Sequence, residues 1–199
     1  IKNLNNNINK QFDDLKNNII NNNTQTKIYN DGKYEGEFKN DKREGKGKFY
    51  YNNDNKYEGD WKNDKFEGKG KYYYDGERYE GDFKNGKLKG KYYYKSGNKY
   101  EGDFKNNKRE GKGIFYYKSG DRYEGDVKND KREGKGIYYY KNGDRYEGDW
   151  KKGKREGKGI YYYNNGNREM GDYLKGKKTG KHVKLHLNGD VTTEVFIIN

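Results

Sequence analysis

The sequence of 199 residues contains no cysteine and no proline. The absence of cysteine excludes disulfide bonds and thiolate metal sites, and it is typical of proteins from a reducing compartment. No apolar run approaches the ~18 residues that a membrane-spanning helix needs, and no signal peptide is visible. We therefore expect a cytoplasmic protein.

Aliphatic residues are scarce as well. Leu, Ile, Val and Phe together make up 28 of the 199 residues, and the formal net charge is +13. Few apolar residues and a high net charge are typical of chains that stay disordered. However, the chain also has 24 tyrosines and 29 glycines. Because a tyrosine buries a large ring and keeps its hydroxyl in water, we expect a folded chain with a tyrosine core.

The sequence repeats with a period of about 23 residues. The tripeptide Tyr-Glu-Gly recurs six times, and a degenerate seventh copy keeps only its glycine, Gly171. The seven glycines are spaced by 23, 22, 21, 23, 23 and 23 residues. A fixed period of this length predicts a repeat protein with one supersecondary unit per copy. The complete tripeptides begin at Tyr34, Tyr57, Tyr79, Tyr100, Tyr123 and Tyr146.

Each copy has the pattern of a β-hairpin. In the copy at 146–167, "YEGDW" alternates aromatic or glycine positions with charged ones, which predicts a half-buried strand. The short polar turn "KKG" follows, then the second strand "REGKGIYYY", then the turn "NNGN". Neighbouring hairpins would pair edge to edge. The fold class predicted is therefore all-β, an elongated single-layer antiparallel sheet about 65 to 70 Å long.

One face of this sheet is predicted to be aromatic. Tyr146, Gly148 and Trp150 lie two residues apart and share a face, and a regular glycine beside a regular tyrosine suggests a ring lying over bare backbone. Some of these rings must form the core of the protein. Because a large exposed aromatic patch normally meets a partner, we expect the rest to bind one. The predicted aromatic face consists of Tyr34, Phe38, Tyr57, Trp61, Tyr79, Phe83, Tyr100, Phe104, Tyr123, Tyr146 and Trp150.

Basic pairs follow the hairpin turns in register and predict a basic stripe along one rim. The stripe could be a solvated rim that discourages edge-to-edge aggregation. Alternatively, it meets an acidic protein surface or anionic lipid headgroups. Nucleic acid is not expected, because acidic residues in every copy oppose phosphate binding. The stripe consists of Lys42, Arg43, Lys108, Arg109, Lys131, Arg132, Lys154, Arg155, Lys177 and Lys178.

Residues 1–23 precede the repeats and predict an amphipathic helix. Apolar residues from Ile1 to Ile19 recur at steps of three and four, which makes one stripe of an α-helix. Most other positions are Asn, a poor helix former, so the helix needs a surface to lie on. That surface is the chain's own sheet, another chain or a membrane. The predicted helix interface consists of Leu4, Ile8, Phe12, Leu15 and Ile19.

The sequence offers no catalytic constellation. The two serines, Ser96 and Ser119, lie in predicted turns. His182 and His186 share a strand face but lack a third metal ligand, so we interpret them as part of a capping strand. The carboxylates recur in every copy as a lattice, not as one catalytic pair. We therefore expect no enzyme activity, no cofactor and no metal site.

The segment "YEGDWKNDKFEGKGKYYYDGERYEGDF", residues 57–83, resembles tandem MORN repeats (membrane occupation and recognition nexus). The resemblance extends over roughly residues 28–190. It departs from the pattern in copy three, which lacks Gly-x-Gly, at Val127 in the Trp position, and in the decayed copy at 169–173. The family occurs in ciliary radial spokes, protist cortical scaffolds and junction proteins, and as an appendage on phosphoinositide kinases and a lysine methyltransferase. The resemblance implies a twisted single-layer sheet with a structural role.

These observations predict four segments: a helical segment over 1–23, a linker and first turn over 24–33, about seven repeats over 34–181, and capping strands over 182–199. The predicted function is a non-catalytic scaffold that joins proteins of a ciliary, axonemal or cortical cytoskeletal assembly, with a homo-oligomer as a further option. The alternatives are a peripheral membrane module that binds phosphoinositides through the basic stripe, and an appendage of a larger enzyme.

Overall fold

The computed structural model describes residues 8–12, 15, 24–84, 87–106 and 108–197. The chain divides into two units, Ile1–Asn85 and Gly86–Asn199. Each unit contains an antiparallel sheet in which every strand pairs with its neighbours in sequence. No helix among these residues is long and apolar enough to span a membrane.

The first unit contains a helical segment and six strands. Residues 8–12 and 15 are α-helical. A strand then lies within the segment 24–33, where the sequence predicted a linker and first turn. The strands are β1 (Thr24–Tyr29), β2 (Gly32–Lys39), β3 (Lys42–Tyr51), β4 (Lys56–Lys62), β5 (Lys65–Tyr74) and β6 (Glu77–Lys84).

The second unit contains ten strands, and its last two lie in the decayed C-terminal part of the repeat pattern. They are β7 (Lys87–Tyr93), β8 (Lys99–Lys105), β9 (Lys108–Tyr116), β10 (Arg122–Lys128), β11 (Lys131–Tyr139), β12 (Arg145–Lys151), β13 (Lys154–Tyr162), β14 (Arg168–Leu174), β15 (Lys177–Leu185) and β16 (Val191–Phe196).

Each complete hairpin contains a β-bulge just beyond a pair of opposed glycines. In β10 and β11, Gly125 lies opposite Gly136, and the register then shifts before Val127. The extra residue is accommodated at Gly134, whose φ of 61° favours glycine. The Asp126 carboxylate accepts a hydrogen bond from the backbone N–H of Lys135, the residue after Gly134, at 3.0 Å. A bulge bends the strand and increases its twist, and here it recurs once per copy.

The predicted fold class is confirmed: the described chain is an all-β arrangement of tandem hairpins in single-layer antiparallel sheets, with a short N-terminal helix. The core lies on one face of each sheet and consists mainly of aromatic residues, led by a row of fully buried tyrosines. Because aliphatic residues are few, the hydrophobic stabilisation comes largely from ring burial.

Candidate protein-interaction surface

The tyrosine of Tyr-Glu-Gly lies over the paired glycines of its own hairpin in the copies that begin at Tyr34, Tyr57, Tyr100, Tyr123 and Tyr146. Tyr123 is 1% exposed, and its hydroxyl donates a hydrogen bond to the Asp126 carbonyl at 2.8 Å. A Cβ atom at Gly136 would lie 2.6 Å from Cε2 of this ring. The glycines are therefore required because the ring occupies the space that any side chain would take. Burial raises the pKa of the Tyr123 hydroxyl well above its ordinary value.

The residues predicted to form an aromatic face lie almost entirely in the protein's own core. Ten of its eleven side chains are buried, and Phe38 is half-buried. The rings contact one another edge to face, as Tyr146 does with Trp150 at a centroid separation of 5.3 Å. Partner binding by these residues stays a prediction, for which only Phe38 offers partly exposed surface.

The predicted basic stripe divides between the two faces of the sheet. Each arginine turns onto the aromatic face: the Arg132 guanidinium lies 4.3 Å from the Trp150 ring centroid and donates to the Gly153 carbonyl at 2.6 Å. The preceding lysine is exposed, because consecutive strand residues face opposite sides. The exposed members are Lys42, Lys108, Lys131, Lys154 and Lys177, and the half-buried ones are Arg43, Arg109, Arg132, Arg155 and Lys178.

The opposite side of the second sheet, here called the groove face, carries Ile114, Ile137 and Ile160. These side chains are half-buried and alternate across the strands with glutamates. Glu124 pairs in register with Ile114 and Ile137, and Glu147 pairs with Ile137 and Ile160. Along this row, apolar isoleucines and acidic glutamates alternate from one strand to the next.

The isoleucines of this row replace lysines of the earlier copies. Lys48, Lys71 and Lys91 occupy the equivalent position, and each forms a cross-strand ion pair with a glutamate, at 3.5, 3.9 and 3.3 Å. In the copies that carry Ile114, Ile137 and Ile160, the cross-strand lysine is replaced by an uncharged side chain. The groove face of the second unit is therefore less polar than the pattern of the early copies.

A ladder of aromatic and basic side chains borders this row. The Arg122 guanidinium lies 4.1 Å from the Tyr139 ring centroid, and Arg145 lies 4.0 Å from that of Tyr162. Each stacked pair is in register on adjacent strands. Tyr139 and Tyr162 are half-buried beneath these guanidinium groups.

A groove of about 980 Å³ runs along this face from Lys89 to Ile160. The backbone of the paired glycines, whose other side the tyrosines cover, forms its floor. A row of lysines and aspartates borders the groove along the edge away from the tyrosine and arginine ladder. There Lys112 and Lys135 form ion pairs with Asp126 and Asp149 at 2.6 and 2.5 Å. The groove is open, largely pre-formed and lined by a repeating set of side chains.

In the seventh copy the ring that covers the glycine comes from the second strand of the hairpin instead of the first. Glu169 stands at the tyrosine position, and His182 stands at the glycine position and covers Gly171. The His182 Nε2–H donates to the Asp172 carbonyl at 2.9 Å, and its Nδ1 lies 2.9 Å from the Glu169 carboxylate. This carboxylate also contacts Lys178 and accepts from the Tyr163 hydroxyl, both at 2.5 Å.

His182 lies within β15, and His186 follows the end of that strand. His182 is 1% exposed, and His186 lies 3.0 Å from the Thr192 hydroxyl. Among the residues that the structure describes, no group of three or more potential ligands is placed to hold a metal ion.

The helix interface is described only in part. Ile8, Phe12 and Leu15 are 42%, 61% and 58% exposed, so these three side chains are not packed on the sheet. Leu4 and Ile19 lie outside the described residues. Contact of this apolar stripe with another chain stays a prediction.

Sequence reasoning missed the groove face, although a signal for it was present. Aligning the copies on their glycines shows lysine at one position in copies one to three and isoleucine in copies four to six. The clue to an exposed surface lay in the position that differs between copies, not in those that recur.

Comparison with known families identifies the repeat. The model of the MORN repeat matches six consecutive segments, 34–56, 57–78, 79–99, 100–122, 123–145 and 146–168. They form one continuous block covering more than half of the chain. The decayed seventh copy lies outside the match. A search of curated proteins found no match.

Solved structures with a similar fold include two related domains. The SAS-4 (dCPAP) TCP domain of Drosophila melanogaster, determined in complex with a proline-rich motif of Ana2 (dSTIL), has 14% identity and a TM-score of 0.52. The alignment covers 87% of this chain and 90% of that one. The G-box domain of the microcephaly protein CPAP has 10% identity and a TM-score of 0.41, with 87% and 99% covered. At such identities the likeness concerns the fold alone.

Proposed function

The chain belongs to the MORN repeat family, and on that premise we propose that it is a non-catalytic scaffold that binds segments of other proteins within a cytoskeletal assembly. The groove face of the second unit is the main support for this function. It combines half-buried isoleucines, stacked tyrosines and exposed glutamates over a pre-formed glycine floor. Aromatic side chains are enriched at protein interfaces, and a concave apolar surface is the usual form of a binding site.

Two comparisons support the proposal. The SAS-4 TCP domain, which has a similar fold, was determined with a proline-rich motif of a partner protein. A domain with a similar fold is therefore found in complex with a segment of another protein. The cytoskeletal setting rests on the resemblance to MORN proteins of cilia and cell cortex, and we propose a cytoplasmic location at such a structure.

Retention on the cytoskeleton tests this function. The tagged chain would be expressed in a flagellated cell, and its retention after detergent extraction would be measured. A groove variant with Ile114→Lys, Ile137→Lys and Ile160→Lys should lose retention. It should still fold, because copies one to three carry lysine at the equivalent position.

The matched control changes the exposed lysines of the other predicted surface: Lys108→Gln, Lys131→Gln and Lys154→Gln. The scaffold interpretation expects this variant to be retained. If it loses retention and the groove variant does not, and if the wild type sediments with phosphoinositide vesicles, the chain is a peripheral membrane module and the proposal is wrong. Circular dichroism of the purified variants would confirm that both are folded.

A further inference from the structure

We propose that the groove face of the second unit binds a polyproline II segment of a partner protein, with an apolar residue at every third position and Lys or Arg between. This inference rests on the proposed scaffold function and names the class of segment that is bound. It is carried by two independent observations: the spacing of the isoleucines and the incomplete neutralisation of the glutamates between them.

The spacing of the isoleucines matches the pitch of polyproline II. Ile114, Ile137 and Ile160 lie on alternate strands of one sheet, and Glu124 and Glu147 occupy the strands between. Strands lie ~4.8 Å apart, so equivalent side chains recur about every 9.6 Å. A polyproline II helix has three residues per turn and rises ~3.1 Å per residue, so one side recurs about every 9.3 Å.

Other backbone conformations match this spacing less well. A β-strand covers a similar distance in three residues, but its side chains alternate, so the third residue points away from the sheet. An α-helix returns to the same side after seven residues and ~10.5 Å, and its diameter exceeds the spacing of side-chain rows on a sheet. Of the three conformations, polyproline II comes closest to the repeat distance of the sheet while keeping its anchors on one side.

The charge of the face defines the residues between the anchors. In three earlier copies the glutamate of this row meets two cations, a cross-strand lysine and a lysine or arginine two residues back. Glu58, for example, pairs with Lys48 at 3.5 Å and with Lys56 at 3.3 Å. Glu124 and Glu147 have only an arginine two residues back, at 3.7 and 3.9 Å, and each is 49% exposed.

These two arginines are also committed elsewhere. The Arg122 guanidinium stacks on Tyr139, and the Arg145 guanidinium stacks on Tyr162, with the Arg145 Nε buried and without a hydrogen-bond partner. The two carboxylates therefore offer acceptors to a basic ligand side chain located between apolar anchors. The half-buried Tyr139 and Tyr162 border the row and add apolar ring edges beside it, since their faces carry the two guanidinium groups.

Fluorescence polarisation with a defined peptide tests this inference. The probe is a fluorescein-labelled peptide of three Pro-Pro-Arg triplets, and the protein is the full 199-residue chain. We expect saturable binding that weakens as salt rises. A peptide of three Gly-Gly-Arg triplets has the same charge without the polyproline II preference, and a Pro-Pro-Glu peptide has the opposite charge. Both should bind at least about ten-fold more weakly.

Three protein variants locate the site. Ile137→Lys should weaken binding at least about ten-fold, since it removes the central anchor and adds a like charge. The pair Glu124→Gln and Glu147→Gln should weaken binding several-fold and flatten its salt dependence. The matched control Glu58→Gln changes the equivalent glutamate of the first unit and should have no effect. Equal affinity for the Gly-Gly-Arg peptide, or binding unaffected by Ile137→Lys, would overturn the inference.

The outcome is separable from that of the scaffold function. If no Pro-Pro-Arg binding occurs while the triple-lysine groove variant still loses cytoskeletal retention, the scaffold stands and the ligand class is wrong. If the peptide binds as expected but the triple-lysine groove variant is retained on the cytoskeleton like the wild type, the ligand class stands and the cytoskeletal function is wrong.

Discussion

At the residue scale, stability depends on a reciprocal relation between one large ring and two bare glycines. The Tyr123 ring occupies the space above Gly125 and Gly136, and its hydroxyl is bonded to a backbone carbonyl. Neither component is useful alone, because a ring without the glycines has no room and the glycines without a ring only weaken the strand. Composition therefore shows both in excess.

Gly136→Ala should lower the free energy of unfolding by about 2 to 3 kcal/mol, because the added methyl group overlaps the Tyr123 ring. The control is Gly153→Ala, where a Cβ would meet nothing within 4 Å and only the φ of 84° is unfavourable. That variant should cost about 1 kcal/mol. Urea denaturation followed by circular dichroism measures both, and equal losses would contradict the close-approach explanation.

The exchange in the seventh copy gives a second prediction at this scale. His182→Gly or Glu169→Tyr alone should lower the free energy of unfolding by about 3 kcal/mol. The first variant leaves a buried gap over Gly171, and the second places a new ring against the His182 ring and removes the carboxylate that pairs with Lys178. The double variant recreates the Tyr-over-Gly pair of the other copies and should recover most of that loss. A double-mutant cycle from urea denaturation measures the coupling. Additive losses would show that the two positions are independent.

At the element scale, each hairpin is fastened to the next by the residues that follow its turn. Arg132 lies on the Trp150 ring of the following hairpin, and the next residue, Glu133, accepts a hydrogen bond from the Lys152 backbone N–H at 2.9 Å. The adjacent Lys131 is exposed. Consecutive strand residues face opposite sides and only one side carries the rings, so Arg132 lies on the rings while Lys131 is exposed.

Arg132→Met should lower the free energy of unfolding by about 1 to 2 kcal/mol through loss of the cation–π contact and of the bond to the next turn. Lys131→Met, one residue earlier, should change it by less than about 0.5 kcal/mol. Thermal unfolding of both variants measures the difference. Similar effects at the two positions would restore the original idea of one uniform basic stripe.

At the scale of the whole molecule, a core of tyrosines makes the fold sensitive to alkali. Burial raises the pKa of Tyr173 to about 12 and that of Tyr51 to about 12, and it raises the pKa of Tyr57 and Tyr146 further still. A folded-state pKa above the unfolded value of about 10 contributes stability that is complete below pH 10. This contribution is lost as the pH rises through the folded value.

We therefore expect cooperative unfolding above pH 10, with tyrosinate absorbance at 295 nm rising together with the loss of the β-sheet circular dichroism signal. A protein whose tyrosines were exposed would instead show tyrosinate absorbance near pH 10 with its sheet signal unchanged. That second result would contradict the buried-ring core.

Much of the fold could be predicted because the repeat amplifies a weak local signal. Alternation over five residues is ambiguous in one strand, but six copies of Tyr-Glu-Gly with turns between them indicate hairpins without ambiguity. The candidate site was harder to predict. The pattern predicted that some of the eleven aromatic residues form the core, but not which ones. Tyr146 and Trp150 are 0% and 5% exposed because neighbouring rings and arginines cover them. Ring-on-ring burial across strands is a tertiary property.

The sequence by itself determined the hairpin period, the face on which the rings lie and the positions that must be glycine, since these depend on strand alternation and steric exclusion within one copy. Only the tertiary structure decided which rings are buried, that the Arg132 guanidinium lies on the Trp150 ring of the next hairpin, and that Glu124 lies between two isoleucines. These features depend on which residues of neighbouring strands lie side by side. That register is set where each bulge shifts the pairing of the two strands.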